Sequence, residues 1–288
     1  MNRYPDAVLG SANRCAAVSG GVLVINADDW GRDAITTARI LDCVRHGAVA
    51  SVSAMVFMED SLRAAEIARE RGVEAGLHLN LTTPFSAAGC ARRLVERQQD
   101  VSRYLRRHPL AQVMFHPGLM RSFEYVVEAQ IAEFRRLYGA HLERIDGHHH
   151  MHLCANVLFG GLLPREILVR RNFSFQTGEK SLWNRLYRRA VDAVLARRYR
   201  LVDYFFSLGP LEPPSRLERI FSLARRFVVE METHPVQADE YRFLVGGALC
   251  RRAMGITLAP PSAVPRRARS GLTATLRAGR RAPVKKAV

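Results

Sequence analysis

Several features that would define other classes of protein are missing from this sequence of 288 residues. No segment approaches the roughly 18 consecutive apolar residues of a transmembrane helix, so no membrane span is expected. The five cysteines are scattered and include no CxxC pair, which argues against a disulfide framework and favours a reducing compartment. The G-x-S-x-G motif is also missing, so nothing indicates a serine nucleophile.

The N-terminal segment lacks the apolar stretch of a secretion signal. Residues 1–20 are small and polar, and we expect them to form a flexible leader. Together with the cysteine usage, this predicts a cytoplasmic protein.

Acidic residues are missing from the C-terminal part of the chain. From Arg251 to Val288 there are ten Lys or Arg residues and no Asp or Glu, so ten of the sixteen net positive charges lie there. The remaining body is only mildly basic, and no specific nucleic-acid partner is predicted. Residues 259–288 are predicted to be a basic disordered tail. Two roles stay open for it, peripheral contact with an anionic membrane and simple solubilisation.

Between these ends, residues 21–258 alternate apolar segments with amphipathic ones. Strands are predicted at 22–25, 49–57, 73–81, 142–146, 167–169, 201–206, 227–233 and 255–258. Such alternation implies parallel pairing through right-handed crossovers. The sequence therefore predicts one α/β domain, a (β/α) barrel of seven or eight parallel strands that is closed or nearly closed. The segment 82–122 is a long, Arg-rich and partly helical excursion.

Polar side chains stand where several of these strands end. Asp28 and Asp29 end the first strand, His78 lies near the end of the third, His148 follows the fourth, and His234 follows the seventh. In a parallel barrel all carboxyl ends of the strands open on one face, so these residues would converge. One carboxylate with two imidazoles is an established ligand set for a divalent metal.

The adjacent acids need a local change in the backbone to act together. Neighbouring residues of a strand point to opposite faces, so both face one site only if the strand bends at its end, which Gly31 would permit. The alternative is a solvated Asp-Asp turn that caps the next helix. For the histidines, the alternatives are ordinary hydrogen-bonded side chains or an adventitious metal site.

Four motifs, INADDWG, GLHLNLT, DGHHHMH and the strand-ending THP, resemble those of the YdjC-type carbohydrate deacetylases. That group includes the chitooligosaccharide deacetylases and the deacetylases of hopanoid biosynthesis. The resemblance extends from about residue 21 to 258. It implies a distorted barrel of the glycoside hydrolase and deacetylase type, and metal-dependent removal of an N-acetyl group from an amino sugar.

Carried over residue by residue, the resemblance implies that Asp29, His78 and His148 bind one divalent ion. Asp28 then corresponds to the general base and His234 to the acid or the stabiliser of the transition state. The resemblance implies Mg²⁺, whereas the ligand set itself suits Zn²⁺ as the alternative.

Four further residues are candidates for contact with substrate or for support behind the ligands. They are His150, His152, Trp30 and Asn80. His150 and His152 would share the face of His148 if strand geometry continued, and His149 would then be a bystander. The implied partner is an N-acetylated saccharide or a glycolipid. The oligomeric state stays open, with a homodimer as one alternative.

Other functions fit the residues less well. Glycoside hydrolysis by the paired acids is disfavoured, because adjacent residues do not easily flank a sugar at the required separation of about 5 Å or more. Another metal-dependent hydrolase or a sugar isomerase on the same barrel remains an alternative. A basic protein that binds nucleic acid or a membrane surface is the non-enzymatic alternative.

Overall fold

A computed structural model describes residues 21–139, 141–175 and 179–264 of the chain. The expected leader, and the part of the expected tail from residue 265 onward, lie outside the described residues. None of the described helices combines the length and the apolar composition needed to cross a bilayer.

Eight strands occur in the described ranges. They are β1 (Val22–Trp30), β2 (Ser51–Ala54), β3 (Ala75–Leu79), β4 (Arg144–Gly147), β5 (Leu168–Val169), β6 (Tyr204–Ser207), β7 (Val228–Thr233) and β8 (Thr257–Leu258). Seven of these strands form one sheet in the order β5-β4-β3-β2-β1-β7-β6, and all neighbouring strands are parallel. The eighth strand, β8, pairs with the first residues of β1. The predicted parallel α/β architecture is confirmed.

The two edges of this curled sheet approach each other. Leu168 of β5 forms an isolated parallel bridge with Arg200, which precedes β6, and the Val169 N–H donates to the Arg200 carbonyl at 2.9 Å. Further along, the Ser174 N–H donates to the Phe205 carbonyl at 2.9 Å. These bonds join the edges over a short length only, which makes the structure the expected distorted barrel.

Nine α-helices connect the strands within the described ranges. They are α1 (Ala34–Arg45), α2 (Ser61–Arg71), α3 (Arg92–Arg107), α4 (Met120–Tyr138), α5 (Ala155–Gly160), α6 (Leu182–Ala196), α7 (Pro214–Ala224), α8 (Ala238–Val245) and α9 (Ala248–Ala253). The last two helices, α8 and α9, are separated by a short break in the backbone. Gly247, with φ 77°, takes a left-handed conformation that ends one helix and starts the next.

The first strand lies at the centre of the sheet, and all nine of its residues are buried. Its neighbours cover both edges while helices cover the outer face, which explains why the strand is a continuous apolar run before its acids. Trp30, Phe123 and Phe134 are among the largest fully buried side chains of the core. The core therefore holds the strand that carries both acids.

A small second cluster closes the amino-terminal end of the barrel. It contains Val22, Val24, Leu168, Val202, Val228, Ala259 and Val264. Ser262 between the last two donates its N–H to Glu74 Oε1 at 2.9 Å. Residues 259–264, assigned by sequence to a disordered tail, are thus packed onto the barrel because they supply apolar side chains to this cluster.

Candidate active site

The carboxyl end of β1 turns both acids toward one place. Asp29 has φ 69°, a left-handed conformation, and the register with β2 shifts between Ala27 and Trp30. The backbone change expected from the Asp-Asp pair is therefore present, and Gly31 follows it with φ 85°. A non-glycine residue in this conformation costs about 1–2 kcal/mol, and such strain is typical of functional sites.

Three predicted residues come together around Asp29 Oδ1. His148 Nδ1 lies 3.0 Å from this oxygen and His78 Nε2 lies 3.4 Å from it. All three side chains are buried, and their ligand atoms lie within 4.8 Å of one another. Ligands about 2 Å from a tetrahedral ion lie a little over 3 Å apart, so the spacing suits one divalent ion.

The charges of these groups also suit a cation. Asp29 Oδ1 is buried and has no hydrogen-bond partner among the described residues, although two ring nitrogens face it. Burial would raise the pKa of Asp29, but His148 and His78 hold it far below its ordinary value. Burial would lower the pKa of His78, but Asp28, Asp146 and Asp29 raise it to about 10. The site therefore stabilises positive charge at the place where a metal ion would bind.

His78 is oriented from behind by a residue that the sequence analysis did not select. Its Nδ1 donates to Asp146 Oδ1 at 2.7 Å, which leaves Nε2 facing Asp29 and able to bind an ion once it releases its proton. Carboxylates commonly hold metal-binding imidazoles in this way. Asp146 stands in the DGHHHMH motif and ends β4 beside His78, since the two are partners in the strand register.

A second group, Asp28, His78 and Asp146, also has suitable ligand atoms within 4.8 Å. Its two carboxylates are already neutralised, because Arg170 lies 2.6 Å from Asp28 Oδ2 and 3.0 Å from Asp146 Oδ2. Asp29 Oδ1 is instead faced by two imidazole nitrogens, which can release a proton and bind an ion, so the group around Asp29 is the better candidate.

Arg170 is the main residue that sequence reasoning missed. It is fully buried directly after β5, and its Nη1 and Nη2 donate to the two oxygens of Asp28 at 2.6 and 2.8 Å. It also donates to Glu230 at 2.7 Å and Glu232 at 3.1 Å. One signal in the sequence was a charged residue at the end of a strand, where a parallel barrel places its site.

A second buried guanidinium completes the network below the site. Arg144 donates to Asp146 Oδ2 at 2.6 Å and to Glu230 Oε1 at 2.7 Å. It also donates to Asn26 Oδ1 at 2.6 Å. Buried carboxylates are tolerated only when they are paired, and these arginines supply the pairing.

Arg170 sets the charge of Asp28. Burial would raise the pKa of Asp28, but Arg170 and His78 lower it to about 2. Asp28 is therefore ionised at neutral pH. In the same cluster, burial and the nearby charge of Asp28 raise the pKa of Glu232 well above its ordinary value.

His234 follows β7 at the strand end next to β1. The last pair in the register of β1 with β7 is Ala27 with Thr233, so Asp28 and His234 each follow this pair on their own strand. Its N–H donates to Glu240 Oε2 at 2.7 Å, and Thr233 Oγ1 donates to the same oxygen at 2.6 Å. The backbone at His234 is thus fixed by α8.

The histidine run does not continue β4, which corrects the expectation that His150 and His152 share the face of His148. Residues His148–Leu153 form a 3₁₀ helix in which His149 and His150 have left-handed conformations. The ring of His150 packs edge-on against Phe173, with centroids 4.7 Å apart. The buried His152 instead bonds through Nε2 to the Arg170 carbonyl at 2.9 Å. His152 therefore holds the backbone of Arg170 in place.

Trp30 and Asn80 both lie in the interior of the protein. Trp30 is fully buried in the core, and its Nε1 donates to the Ala64 carbonyl at 3.2 Å. Asn80 is fully buried and bonds to the backbone of Thr83 through both ends of its amide. Burial disfavours contact of either side chain with a substrate, and the other predicted role, support behind the ligands, stays a prediction.

A cavity of about 340 Å³ adjoins the site and is lined in part by His149 and His150. His149 is exposed, its ring centroid lies 4.0 Å from that of His148, and its Nδ1 lies 2.9 Å from Thr82 Oγ1. Burial and the nearby His148 lower the pKa of His149 to about 4. The cavity is large enough for a small ligand.

Two curated proteins are similar to this chain in sequence. A chitooligosaccharide deacetylase of Serratia marcescens is 31% identical over 172 residues, which cover 54% of this chain and 64% of that protein. A carbohydrate deacetylase of Mus musculus is 30% identical over 141 residues, covering 47% of this chain and 44% of that protein. The chain thus spans about half to two thirds of the length of these curated relatives.

Among solved structures, a protein of Enterococcus faecalis described as a cellobiose-phosphate cleavage protein has a similar fold. The TM-score is 0.59 at 20% identity, over 84% of this chain and 98% of that one. The model of the family described as YdjC-like protein matches residues 22–260. Because this match includes most of the sequence and all the strands above, the chain belongs to the YdjC-like protein family.

Proposed function

We propose that this protein is a metal-dependent hydrolase that removes the N-acetyl group from an amino sugar or an acetylated glycoconjugate. The observation that carries the proposal is the buried Asp29 Oδ1, which two imidazole nitrogens approach at 3.0 and 3.4 Å beside the ionised Asp28. The names of the two curated relatives point to the same chemistry.

In this proposal Asp29, His78 and His148 hold one divalent ion. When bound, such an ion would polarise the acetyl carbonyl and lower the pKa of a water molecule. Two imidazoles favour Zn²⁺ by the chemistry of the donors, while the family resemblance implied Mg²⁺. Metal analysis of the purified protein, followed by activity after reconstitution with each ion, distinguishes them.

Asp28 accepts the proton of the attacking water. With a pKa of about 2, it is ionised throughout the physiological range but is a weak base. It can therefore accept a proton only from a water molecule whose own pKa has been lowered. Arg170 holds both of its oxygens, which fixes the direction from which the proton arrives. His234, on the neighbouring strand end, donates a proton to the departing amine.

Asp28→Asn and His234→Ala are each expected to retain metal and to lose kcat by about 10²-fold or more, as for loss of a general base or acid. The asparagine keeps the shape of the side chain but cannot take up a proton. Metal content and single-turnover rates are measured on the same samples. Rates near wild type at saturating metal would contradict both roles.

The function itself is tested by a screen for acetate release from N-acetylated saccharides, with and without a chelator. Chelation should abolish release, and the ion should restore it. A sugar isomerase on the same barrel would convert a substrate without releasing acetate. Metal-dependent turnover without acetate would therefore sink the proposal.

The C-terminal segment is proposed to be dispensable for the reaction. Residues 265–288 carry eight Lys or Arg residues and no acid, which suits contact with anionic surfaces. Truncation after Val264 keeps the packed residues 259–264. It should retain kcat on a short soluble substrate and lose the salt-sensitive part of vesicle binding. Loss of activity on the soluble substrate would place the segment in the fold or the site.

The cysteine usage supports the proposal that the protein works in the cytoplasm, and a homodimer stays a prediction. Fractionation of the native host and light scattering of the purified protein test these two points.

A further inference from the structure

Exposed apolar side chains stand on two elements that border the 340 Å³ cavity beside the site. They are Leu182, Trp183, Leu186 and Tyr187 on α6, and Leu110, Val113, Met114 and Phe115 on the loop after α3. Val113 and Tyr187 both line the cavity, so the two elements border the same opening. These eight residues are called the docking face below.

The apolar side chains of α6 are not explained by the core. Leu182 and Leu186 are four residues apart, as are Trp183 and Tyr187, so they share one side of the helix. Leu195 is the one fully packed residue of α6, whereas Trp183 is 80% exposed. A helix whose apolar side is turned away from its own core is typical of a contact surface.

The charge around the docking face indicates what it contacts. The basic residues near these side chains are Lys180, Arg185, Arg188 and Arg189, whereas Arg197, Arg198 and Arg200 follow the end of α6 at the amino-terminal end of the barrel. The acids in this part of the chain are Glu179, before Lys180, and Asp192, which accepts hydrogen bonds from Arg171 and Asn172. On the other element, Arg106 and Arg107 end α3 beside the loop, while Arg103 is paired with Asp100 at 3.2 Å. Trp and Leu bordered by Arg is the composition of helices that lie in the bilayer interface. A second copy on this face would bring arginines together, which is unfavourable.

We propose that the docking face binds an anionic lipid bilayer, with Trp183 and Leu186 entering the headgroup region and the nearby arginines contacting anionic headgroups. The opening beside His149 and His150 would then face the membrane. This contact goes beyond the proposed function and does not depend on it, because binding is measured without substrate and turnover is measured on a soluble one.

The two tryptophans give a direct test on the full-length protein. Trp30 is fully buried, so a change in emission on binding reports Trp183. Vesicles of phosphatidylglycerol and phosphatidylcholine containing brominated lipid should quench and blue-shift wild-type emission. Trp183→Phe should show no quenching. Measurement at about 0.5 M salt suppresses purely electrostatic attachment through the basic C-terminal segment, because the Debye length is then under 8 Å.

Apolar contact is tested by Leu186→Ser combined with Met114→Ser. Neither residue lines the cavity, so turnover of a soluble substrate should stay unchanged. Vesicle partitioning at high salt should fall about tenfold or more, as expected from removing two inserted apolar side chains. Unchanged partitioning would overturn the proposal.

In a matched control, the fluorescent tryptophan is moved from position 183 to the other end of the barrel. Met254 is 69% exposed and precedes β8, which pairs with the first residues of β1. Met254→Trp in the Trp183→Phe background should bind vesicles without being quenched. Three results would overturn the proposal: sedimentation of wild type without Trp183 quenching, no binding even at low salt, or a concentration-dependent dimer that Leu186→Ser dissociates.

Discussion

Replacing His78 by alanine is expected to strip the divalent ion from the site and to abolish turnover. The ring is held between Asp146 and Asp29, so its loss removes both a ligand and the link to the charged network behind it. The loss of affinity should exceed the roughly 10- to 100-fold that removal of a supporting hydrogen bond costs. Asp29→Ala and His148→Ala should have the same effect.

Metal content by mass spectrometry, after dialysis against a weak chelator, measures this effect without relying on activity. His149→Ala is the matched control from the same histidine run. Its ring lies against His148 but bonds to Thr82, so the variant should keep its metal. Full metal occupancy in His78→Ala, or loss of metal in His149→Ala with His148→Ala unaffected, would show that the ligand set is wrong.

The strand ends were predictable because two simple rules determine them. Short apolar runs separated by helices indicate parallel strands, and parallel strands place their carboxyl ends on one face. Asp28, Asp29, His78 and His148 therefore converge as expected, although β3 and β4 contribute only short strands. The bend was predictable from the adjacent acids, but its location at Asp29 was not, since aspartate rarely adopts that conformation.

The charged network was not predicted because its partners are distant in sequence. Arg170 reads as a surface residue in LVRR, and only the fold brings Asp28, Glu230 and Glu232 around it. One signal was available. Glu230 and Glu232 are two residues apart in an apolar strand, so they share one face and require a buried cation.

The histidine run shows a different limit. The prediction for His150 and His152 assumed that side chains continue to alternate between two faces after β4. The strand ends there instead, because His149 and His150 take left-handed conformations although neither is glycine. Such conformations depend on surrounding contacts, here with Thr82 and Phe173. Local pattern therefore identified the first histidine of the run and wrongly placed His150 and His152 on its face.

Replacing Arg170 by methionine is expected to lower the free energy of unfolding by about 3–5 kcal/mol, because it leaves several buried carboxylates without their cation. The variant should also raise the pKa of Asp28, since Arg170 is the main group that offsets burial. The acid limb of the kcat/KM profile should then move to higher pH. Urea unfolding and pH–rate profiles measure the two effects.

The sign of the pH dependence separates this charge effect from simple loss of packing. The pKa of Asp28 is about 2 in the folded protein, against an ordinary value of 3.8. The ionised Asp28 therefore stabilises the fold fully above pH 3.8, and this stabilisation is lost as the pH falls through about 2. The stability difference between wild type and Arg170→Met should therefore narrow as the pH falls.

Arg171→Met is the matched control. The guanidinium of Arg171 pairs with Asp192, so its removal should leave the acid limb of the kcat/KM profile unchanged. A difference that stays constant with pH, with an unmoved acid limb, would mean that Arg170 only fills space and does not set the charge of Asp28.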